Sequence, residues 1–256
     1  MARWTRDELL LALNLYFETP FGKQHQKHPP IIELSDTLGR TPSAVAMKLC
    51  NFTSLDPAET ERGITGLSGA SKNDRDIWEE FENHRAALVD ELEALLEQHQ
   101  PTQPTSFHEN SNTEVETEPT GPTEKLGQVV QRRHQNFFRR VVLKTYNNQC
   151  SITSNPIPTI LRASHIIPWS KSEEHRLNPR NGLCLSATFD AAFDKGLISV
   201  GSEYQLVLSP VLREYVTNSE IEACFFRREG MTIALPDKNL PDPDCLKWHR
   251  DNIFVS

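Results

Sequence analysis

Side chains able to activate water and to bind a metal ion are concentrated in one short segment of the chain. His165 lies in an apolar run, Asn181 precedes a second apolar run, and Asp190 and Asp194 stand four residues apart. A neutral imidazole with a pKa near ~6.5 can take a proton from water near neutral pH. Carboxylates can hold a hard divalent cation that neutralises charge on a phosphate and on its departing oxygen. These residue types in this order favour the hydrolysis of a phosphodiester.

The same segment predicts a strand, a loop, a short strand and a helix. His165 lies in the first strand, and Asn181 stands just before the short apolar run 183–185. Asp190 and Asp194 fall on one face of the helix, because residues four apart are neighbours on a helix surface. Each part of the segment therefore offers a polar group to one common site.

Three spaced motifs occur in this segment: HIIPW at 165–169, NPxNGL at 178–183 and FDxGL at 193–197. Together with the upstream pattern YxxxCxIT at 146–153, they resemble the motifs of HNH endonucleases, the ββα-metal nucleases. The resemblance extends over residues 128–254. It implies a ββα-metal fold and a DNA endonuclease that uses a divalent metal ion, Mg²⁺ or Mn²⁺.

The resemblance also implies a role for each matching residue. His165 corresponds to the general base of the family. Asn181 corresponds to the central asparagine, which orients the base or touches the metal. The ion would be held through Asp190, with Asp194 and Asn181 as further candidate ligands.

Two positions depart from the family pattern. Phe189 and Asp190 occupy the place of the last histidine, and Ser164 stands where many relatives carry a second ligand. Aspartate is a competent ligand for Mg²⁺ or Mn²⁺, whereas serine is a poor one. We therefore expect Asp190 to bind the ion. Asp194 has two open interpretations, a direct ligand or a residue that caps and orients the helix.

The charge of the chain is divided unevenly. The net charge is −8, but residues 125–256 carry 17 Lys and Arg against 13 Asp and Glu, a balance of +4. Residues 1–124 carry 10 against 22. The C-terminal half is therefore the half suited to phosphate contact, with a solvated helix face as the alternative for each basic residue. The predicted nucleic-acid-binding residues of this half are Arg132, Arg139, Arg140, Arg176 and Arg180.

Residues 1–52 predict three short helices. Thr5 and Glu8 form a capping-box pattern, Pro29 starts a second helix that Gly39 ends, and Thr41 caps a third. The set resembles a helix-turn-helix of the Myb or SANT kind. In that interpretation the third helix enters the major groove of DNA and exposes four polar side chains, Arg40, Ser43, Lys48 and Asn51. A protein-contact domain is the alternative, since these 52 residues hold only six basic and five acidic side chains.

Composition divides the chain into a helical targeting or interaction domain (1–99), a linker (100–124) and a nuclease domain (125–256). The linker is rich in Pro, Thr, Glu and Asn, which favours a flexible segment that keeps the two halves independent. Before it, residues 74–98 predict an amphipathic helix. Its apolar stripe would fold back on the first domain or, alternatively, pair with its copy in a homodimer.

The second half is predicted to open with a helix over 126–147 that turns most of its arginines outward. After the candidate site, alternating residues predict a hairpin joining 198–200 to 204–208. The five scattered cysteines form no CxxC pair, so we expect neither a disulfide framework nor a structural zinc. No apolar run approaches eighteen residues and no signal peptide is evident, which predicts a soluble cytoplasmic protein without membrane contact.

The sequence as a whole predicts an α+β protein that acts as a metal-dependent endonuclease on double-stranded DNA. By analogy, such a protein fits restriction or anti-phage defence. One alternative is a DNA-binding regulator with a decayed nuclease, suggested by Ser164 and Asp190 in place of stronger ligands. The other is a nuclease that a protein partner switches on through residues 1–99.

Overall fold

The computed structural model of the chain describes residues 3–99 and 122–256, so most of the predicted linker lies outside it. The architecture is α+β, as the sequence predicted. The first half is helical, with α1 (Arg6–Glu18), α2 (Pro29–Leu38), α3 (Pro42–Thr53), α4 (Pro57–Glu61) and α5 (Lys72–His99).

Local capping signals account for the start and end of the first helices. The Thr5 side chain accepts a hydrogen bond from the Glu8 N–H, and the Glu8 carboxylate accepts one from the Thr5 N–H at 2.7 Å. Gly39 ends α2 in the left-handed conformation at φ 60°, and Thr41 caps α3. The three predicted helices are therefore confirmed. The five-residue α4 begins after Asp56, whose side chain accepts from the Ala58 N–H.

The second half combines helices with two small sheets. Its elements are α6 (Pro122–Thr145), β1 (Leu161–His165), β2 (Gly182–Ser186), α7 (Ala187–Asp194), β3 (Ile198–Val200), β4 (Leu206–Leu208), α8 (Ser219–Cys224) and α9 (Pro243–Asn252). Strands β1 and β2 pair antiparallel, as do β3 and β4. The predicted strand, short strand, site helix and hairpin are thus confirmed.

Two apolar cores hold the molecule together, and α6 contributes to both. The first core contains residues of α1, α3 and α5 together with Phe137, Val141 and Leu177. The second contains Phe138 and Val142 together with residues of β1, β2, α7 and the C-terminal helices. Neighbouring positions of α6 therefore face opposite cores.

Gly182 marks how closely α6 approaches the β1–β2 sheet. A Cβ atom at this glycine would lie 2.5 Å from Cγ2 of Val142 and 2.9 Å from Cζ of Phe138. Both distances are too short for carbon atoms in contact. The glycine in the NPxNGL motif is thus a packing requirement, because it lets α6 lie directly against β2.

Polar contacts also join the halves. The Arg140 guanidinium donates to Glu18 at 2.8 Å, to Asn14 at 2.8 Å and to Glu93 at 2.7 Å. The Lys238 ammonium is buried, with its Nζ 2.9 Å from the centre of the Tyr16 ring. Arg62 donates to the Asp237 carbonyl at 2.8 Å. The expectation that the two halves are independent is therefore wrong: apolar and ionic contacts fasten them together.

Helix α5 folds back within its own chain. Its stripe of Ile77, Trp78, Phe81, Leu88, Leu92 and Leu95 is buried in the first core. The helix is kinked at His84, where φ is −136° and ψ is 39°. The fold-back prediction is confirmed, and the stripe is covered, so it does not supply the alternative homodimer contact.

Within residues 3–99 and 122–256, no helix has the length and apolar character required to span a bilayer.

Replacement of Phe137 by Ala is expected to destabilise both halves, because the ring fills the core that α6 shares with α1 and α5. The expected loss of unfolding free energy is about 3–5 kcal/mol, as for other buried Phe truncations. Urea unfolding measures the loss, and amide hydrogen exchange reports on each half separately. The exposed Val129 on the same helix is the control, where Val129→Ala should change stability by less than about 0.5 kcal/mol. Faster exchange confined to residues 126–256 would contradict a shared core.

Candidate functional site

The candidate site is built on the unit formed by β1, β2 and α7. His165 is the last residue of β1 and pairs with Gly182, the first residue of β2. Helix α7 begins directly after β2 and packs on both strands. The end of β1, the start of β2 and the intervening loop therefore lie at one end of the unit, whereas α7 starts beside Leu161 at the other end and packs along both strands.

The His165 ring is held by contacts on three sides. It stacks on Phe138 with ring centres 3.7 Å apart and an interplanar angle of 10°. Trp169 lies edge-on, with its ring centre 5.7 Å away. Nε2 lies 3.0 Å from the Arg176 carbonyl oxygen, which can only accept. The proton of the neutral ring is therefore on Nε2, and Nδ1 carries the lone pair.

Burial lowers the pKa of His165 to about 4, and the hydrogen bond to the Arg176 carbonyl opposes this shift. The ring is consequently neutral throughout the physiological pH range. A neutral ring with a fixed Nε2–H presents its acceptor, Nδ1, in nearly every molecule. This is the state that a general base needs before it accepts a proton.

Asn181 supports the loop that follows His165. Its side chain is fully buried, and its amide oxygen accepts from the Ile167 N–H at 2.8 Å. Its amide nitrogen donates to the Ile167 carbonyl at 3.0 Å and to the His175 carbonyl at 3.2 Å. The amide is therefore occupied by backbone groups. This geometry favours the predicted orienting role of Asn181 over its predicted role as a metal ligand.

The predicted metal ligands do not assemble into a complete set. Asp190 is half-buried on α7 and Asp194 is exposed, and both interact with other groups of the chain. In the part of the chain that the structure describes, no group of three or more His, Cys, Asp or Glu could hold a metal ion. The side chains present therefore do not fit a metal centre made by protein ligands alone.

The two departures from the family pattern account for the missing metal ligands. Ser164 is buried, and its hydroxyl has no hydrogen-bond partner among the described residues. Phe189 is buried and packs on Phe225, with ring centres 5.3 Å apart, while the Arg228 guanidinium lies 6.0 Å above its ring. An aromatic residue at this position anchors α7 to the C-terminal helices, where a histidine would offer a nitrogen.

Arg176 and Arg180, two of the predicted nucleic-acid-binding residues, already contact other groups of the chain. The Arg176 guanidinium donates to the Trp169 carbonyl at 2.8 Å and lies 5.3 Å from the centre of the Trp169 ring. Arg180 lies 3.4 Å from both the Leu240 carbonyl and the Asp242 carboxylate. The Arg176 guanidinium is thus held against Trp169, whereas Arg180 stabilises the C-terminal segment.

The predicted phosphate-binding arginines of α6 separate into different environments. Arg132 is exposed, and its role in nucleic-acid binding stays a prediction. Arg139 donates to the Leu161 carbonyl at 3.0 Å, next to β1. Arg140 pairs with Glu18 and Glu93 of the first half, so its contacts do not support the predicted role in DNA binding. Sequence periodicity placed these arginines outward, but it could not show that carboxylates of α1 and α5 cover Arg140.

The third helix of the first half does not expose its basic side chains. Arg40 is 13% exposed, pairs with Glu8 at 2.7 Å and lies 4.3 Å above the Trp4 ring. Lys48 is buried against the Asp74 carboxylate, which also accepts from Asn51 at 3.4 Å. The prediction that Arg40 and Lys48 face DNA is therefore wrong. Both residues stabilise the packing of α3 on its neighbours.

Two features of the site carry no clear sequence signal. One is the stacking of Phe138 on His165, since the periodicity of α6 identified Phe138 only as a core residue. The other is the Arg176 carbonyl, because a backbone acceptor is available at every position.

A ββα unit that carries a histidine at the end of its first strand and a buried asparagine before its second defines a class, the ββα nucleases. Residues 150–201 match the family model of HNH endonucleases. The chain therefore contains an HNH endonuclease domain, as predicted from the three motifs. A comparison with curated proteins finds no match at a significant level.

Replacement of Asn181 by Asp is expected to loosen the loop after His165. The carboxylate keeps one acceptor but places charge against the Ile167 and His175 carbonyls, which should cost about 3 kcal/mol or more of unfolding free energy. The matched control is Asn178→Asp, because the Asn178 oxygen only accepts from the Arg180 N–H at 3.0 Å and an aspartate can do the same. Chemical denaturation of both variants measures the difference. Equal stability of the two would contradict the bracing role of Asn181.

Acid is expected to destabilise the protein through two buried histidines. Burial lowers the pKa of His249 to about 4, as it does for His165, and its ring accepts from Ser199 at 2.9 Å and donates to the Phe193 carbonyl at 3.1 Å. Between pH 6.5 and 4 the unfolded chain binds protons that the folded chain does not. The unfolding free energy therefore falls as pH falls through this window.

His249→Gln should remove about 2 kcal/mol of the stability difference between pH 7 and pH 4.5. Urea unfolding at both pH values tests this, with His25→Gln as the control, since His25 is exposed. An unchanged pH dependence in His249→Gln would show that this ring does not contribute to acid destabilisation.

Proposed function

We propose that this protein is an endonuclease of the HNH type that hydrolyses phosphodiester bonds of double-stranded DNA. The observation that carries the proposal is the fixed tautomer of His165, whose Nε2–H donates to the Arg176 carbonyl 3.0 Å away. The histidine stands at the end of β1 in a region that matches the HNH endonuclease family. The other ring nitrogen, Nδ1, then carries the lone pair that a general base requires.

In the proposed reaction, Nδ1 of His165 accepts a proton from a water molecule. The water oxygen forms a bond to phosphorus, and the bond from phosphorus to the 3′ oxygen breaks. The stack on Phe138 and the hydrogen bond to Arg176 keep the ring from turning during proton transfer. Asn181 holds the following loop, and Arg176 contributes its backbone carbonyl, which accepts from the ring. Positioning of this kind lowers the barrier because the base is oriented before the substrate binds.

Charge supports DNA as the substrate. The balance of +4 over residues 125–256 favours contact with phosphates, and Arg132 is exposed on α6. The ion pairs of Arg40 and Lys48 support a DNA-contacting surface in the nuclease half and leave the helical half for packing or a protein partner. A role in restriction or anti-phage defence remains part of this proposal by analogy with small HNH nucleases.

Metal dependence is a separate part of the proposal. HNH nucleases generally use a divalent ion, and we infer Mg²⁺ or Mn²⁺ for this chain from that family property. The described residues contain no three-ligand group, so the proposed proton transfer is assigned to His165 alone. Cleavage is therefore assayed separately with Mg²⁺, with Mn²⁺ and with a chelator.

One alternative function is favoured by a specific observation. Phe189 packs into the second core where the family carries its last histidine, and this suits a DNA-binding protein whose nuclease has decayed. Such a protein would still bind duplex DNA and would leave it intact.

Supercoiled plasmid should be nicked or linearised by the wild-type chain in the presence of Mg²⁺ or Mn²⁺. His165→Ala should lower the cleavage rate by about 10²- to 10⁴-fold, the usual effect of losing a general base. His25→Ala is the matched control, because the exposed His25 lies in the first half and should leave the rate unchanged. A gel-shift assay with the same duplex measures binding in parallel. Binding without cleavage by wild type and by His165→Ala would establish the decayed alternative.

A further inference from the structure

In the loop between β1 and β2, one residue contacts the candidate site and the next residue packs in the core of the helical half. Arg176 supplies the carbonyl that accepts from His165 Nε2. Leu177, the following residue, is 4% exposed and lies in the first apolar core among residues of α1, α3 and α5. Because the two residues are adjacent, the position of the Arg176 carbonyl depends on how the Leu177 side chain packs in the core.

Two further interactions link this loop region to α5. Burial lowers the pKa of Arg85 on α5, and the carboxylates of Glu82 and of Glu174 in the loop oppose that shift. Asp90 on α5 lies 3.0 Å from Nε2 of His134 on α6. The His134 ring centre is 6.4 Å from that of Trp169, the residue that lies edge-on to His165. Helix α5 thus interacts electrostatically with Glu174 of the loop and, by way of His134 on α6, lies near Trp169.

The helix that backs His165 is fixed by the same half. Phe138 stacks on His165, while its neighbour Phe137 is buried against Phe17 and Phe81, with ring centres 6.3 Å and 6.4 Å away. Both supports of the imidazole, the stacked ring and the accepting carbonyl, therefore rest on residues 3–99.

We propose that the helical half is a structural part of the catalytic centre, and that Leu177 is a positioning residue that holds the Arg176 carbonyl against His165. This inference rests on the proposed nuclease function for its rate readout only. The physical reason is tautomer selection. Without an acceptor beside Nε2, the neutral imidazole populates the Nδ1–H form as well, and that form has no lone pair at the nitrogen that meets water.

The test compares four full-length chains: wild type, Leu177→Ala, Leu177→Met and Leu49→Ala. Leu177→Ala removes the anchor, and Leu177→Met restores its volume. Leu49→Ala is the matched control, because Leu49 is fully buried in the same core but lies on α3, away from the loop. If Leu177→Ala does not fold, Leu177→Val provides a milder truncation for the same comparison.

The first readout is the ¹⁵N spectrum of the histidine rings at pH 7, which separates Nε2–H from Nδ1–H tautomers. Wild type, Leu177→Met and Leu49→Ala should show His165 as a single Nε2–H form, and Leu177→Ala should show a mixture. The second readout is single-turnover plasmid cleavage. Leu177→Ala should lower the maximal rate on the order of 10- to 100-fold, with little change in the substrate concentration for half-maximal rate.

A wild-type tautomer in Leu177→Ala overturns the proposal, and so does an equal change in Leu49→Ala, which would indicate general loosening of the core. The two hypotheses fail separately. If wild-type protein leaves DNA intact, the nuclease function is rejected, while the tautomer spectra still decide whether the helical half positions His165.

Discussion

Helix α6 has to satisfy two apolar cores at once, and the geometry around His165 depends on this constraint. Phe137 and Val141 face the helical half, whereas Phe138 and Val142 face the ββα unit. Since successive side chains on a helix point about 100° apart, the helix cannot turn to improve one contact without losing the other. The Phe138 ring is therefore set at 3.7 Å from the imidazole by packing on both sides of the helix.

Within the site, hydrogen bonds to the backbone accomplish most of the positioning. His165 donates to one carbonyl, and Asn181 bonds to Ile167 and His175. These contacts fix the loop and the base without help from an ion. Helix α7 departs from this arrangement, because Phe189 turns an expected ligand position into a packing contact with Phe225. The histidine position of the family's base is thus kept in this chain, whereas the position of its last histidine is taken by a packing residue.

Local signals predicted much of the fold. Caps at Thr5 and Thr41, the glycine at 39 and the motifs around His165 defined the helices and strands that the structure contains. Ion pairs between distant residues escaped prediction. Arg140 meets Glu18 across 122 positions, and Lys48 meets Asp74 across 26. Periodicity indicates which side of a helix is polar, but it does not reveal that another polar surface covers that side. Basic residues were therefore assigned to DNA when carboxylates already paired with them.

The shared core bears on how such a protein can change over generations. A recombination event that replaced residues 3–99 by an unrelated module would leave Phe137, Val141 and Leu177 facing water. The exposed apolar surface would favour aggregation of the recombinant chain. Exchange of accessory modules is a common route to new specificity among multidomain proteins. The shared core therefore prevents such an exchange between the helical half and the nuclease half. The two halves have to be inherited together, and substitutions on one side of α6 constrain those accepted on the other.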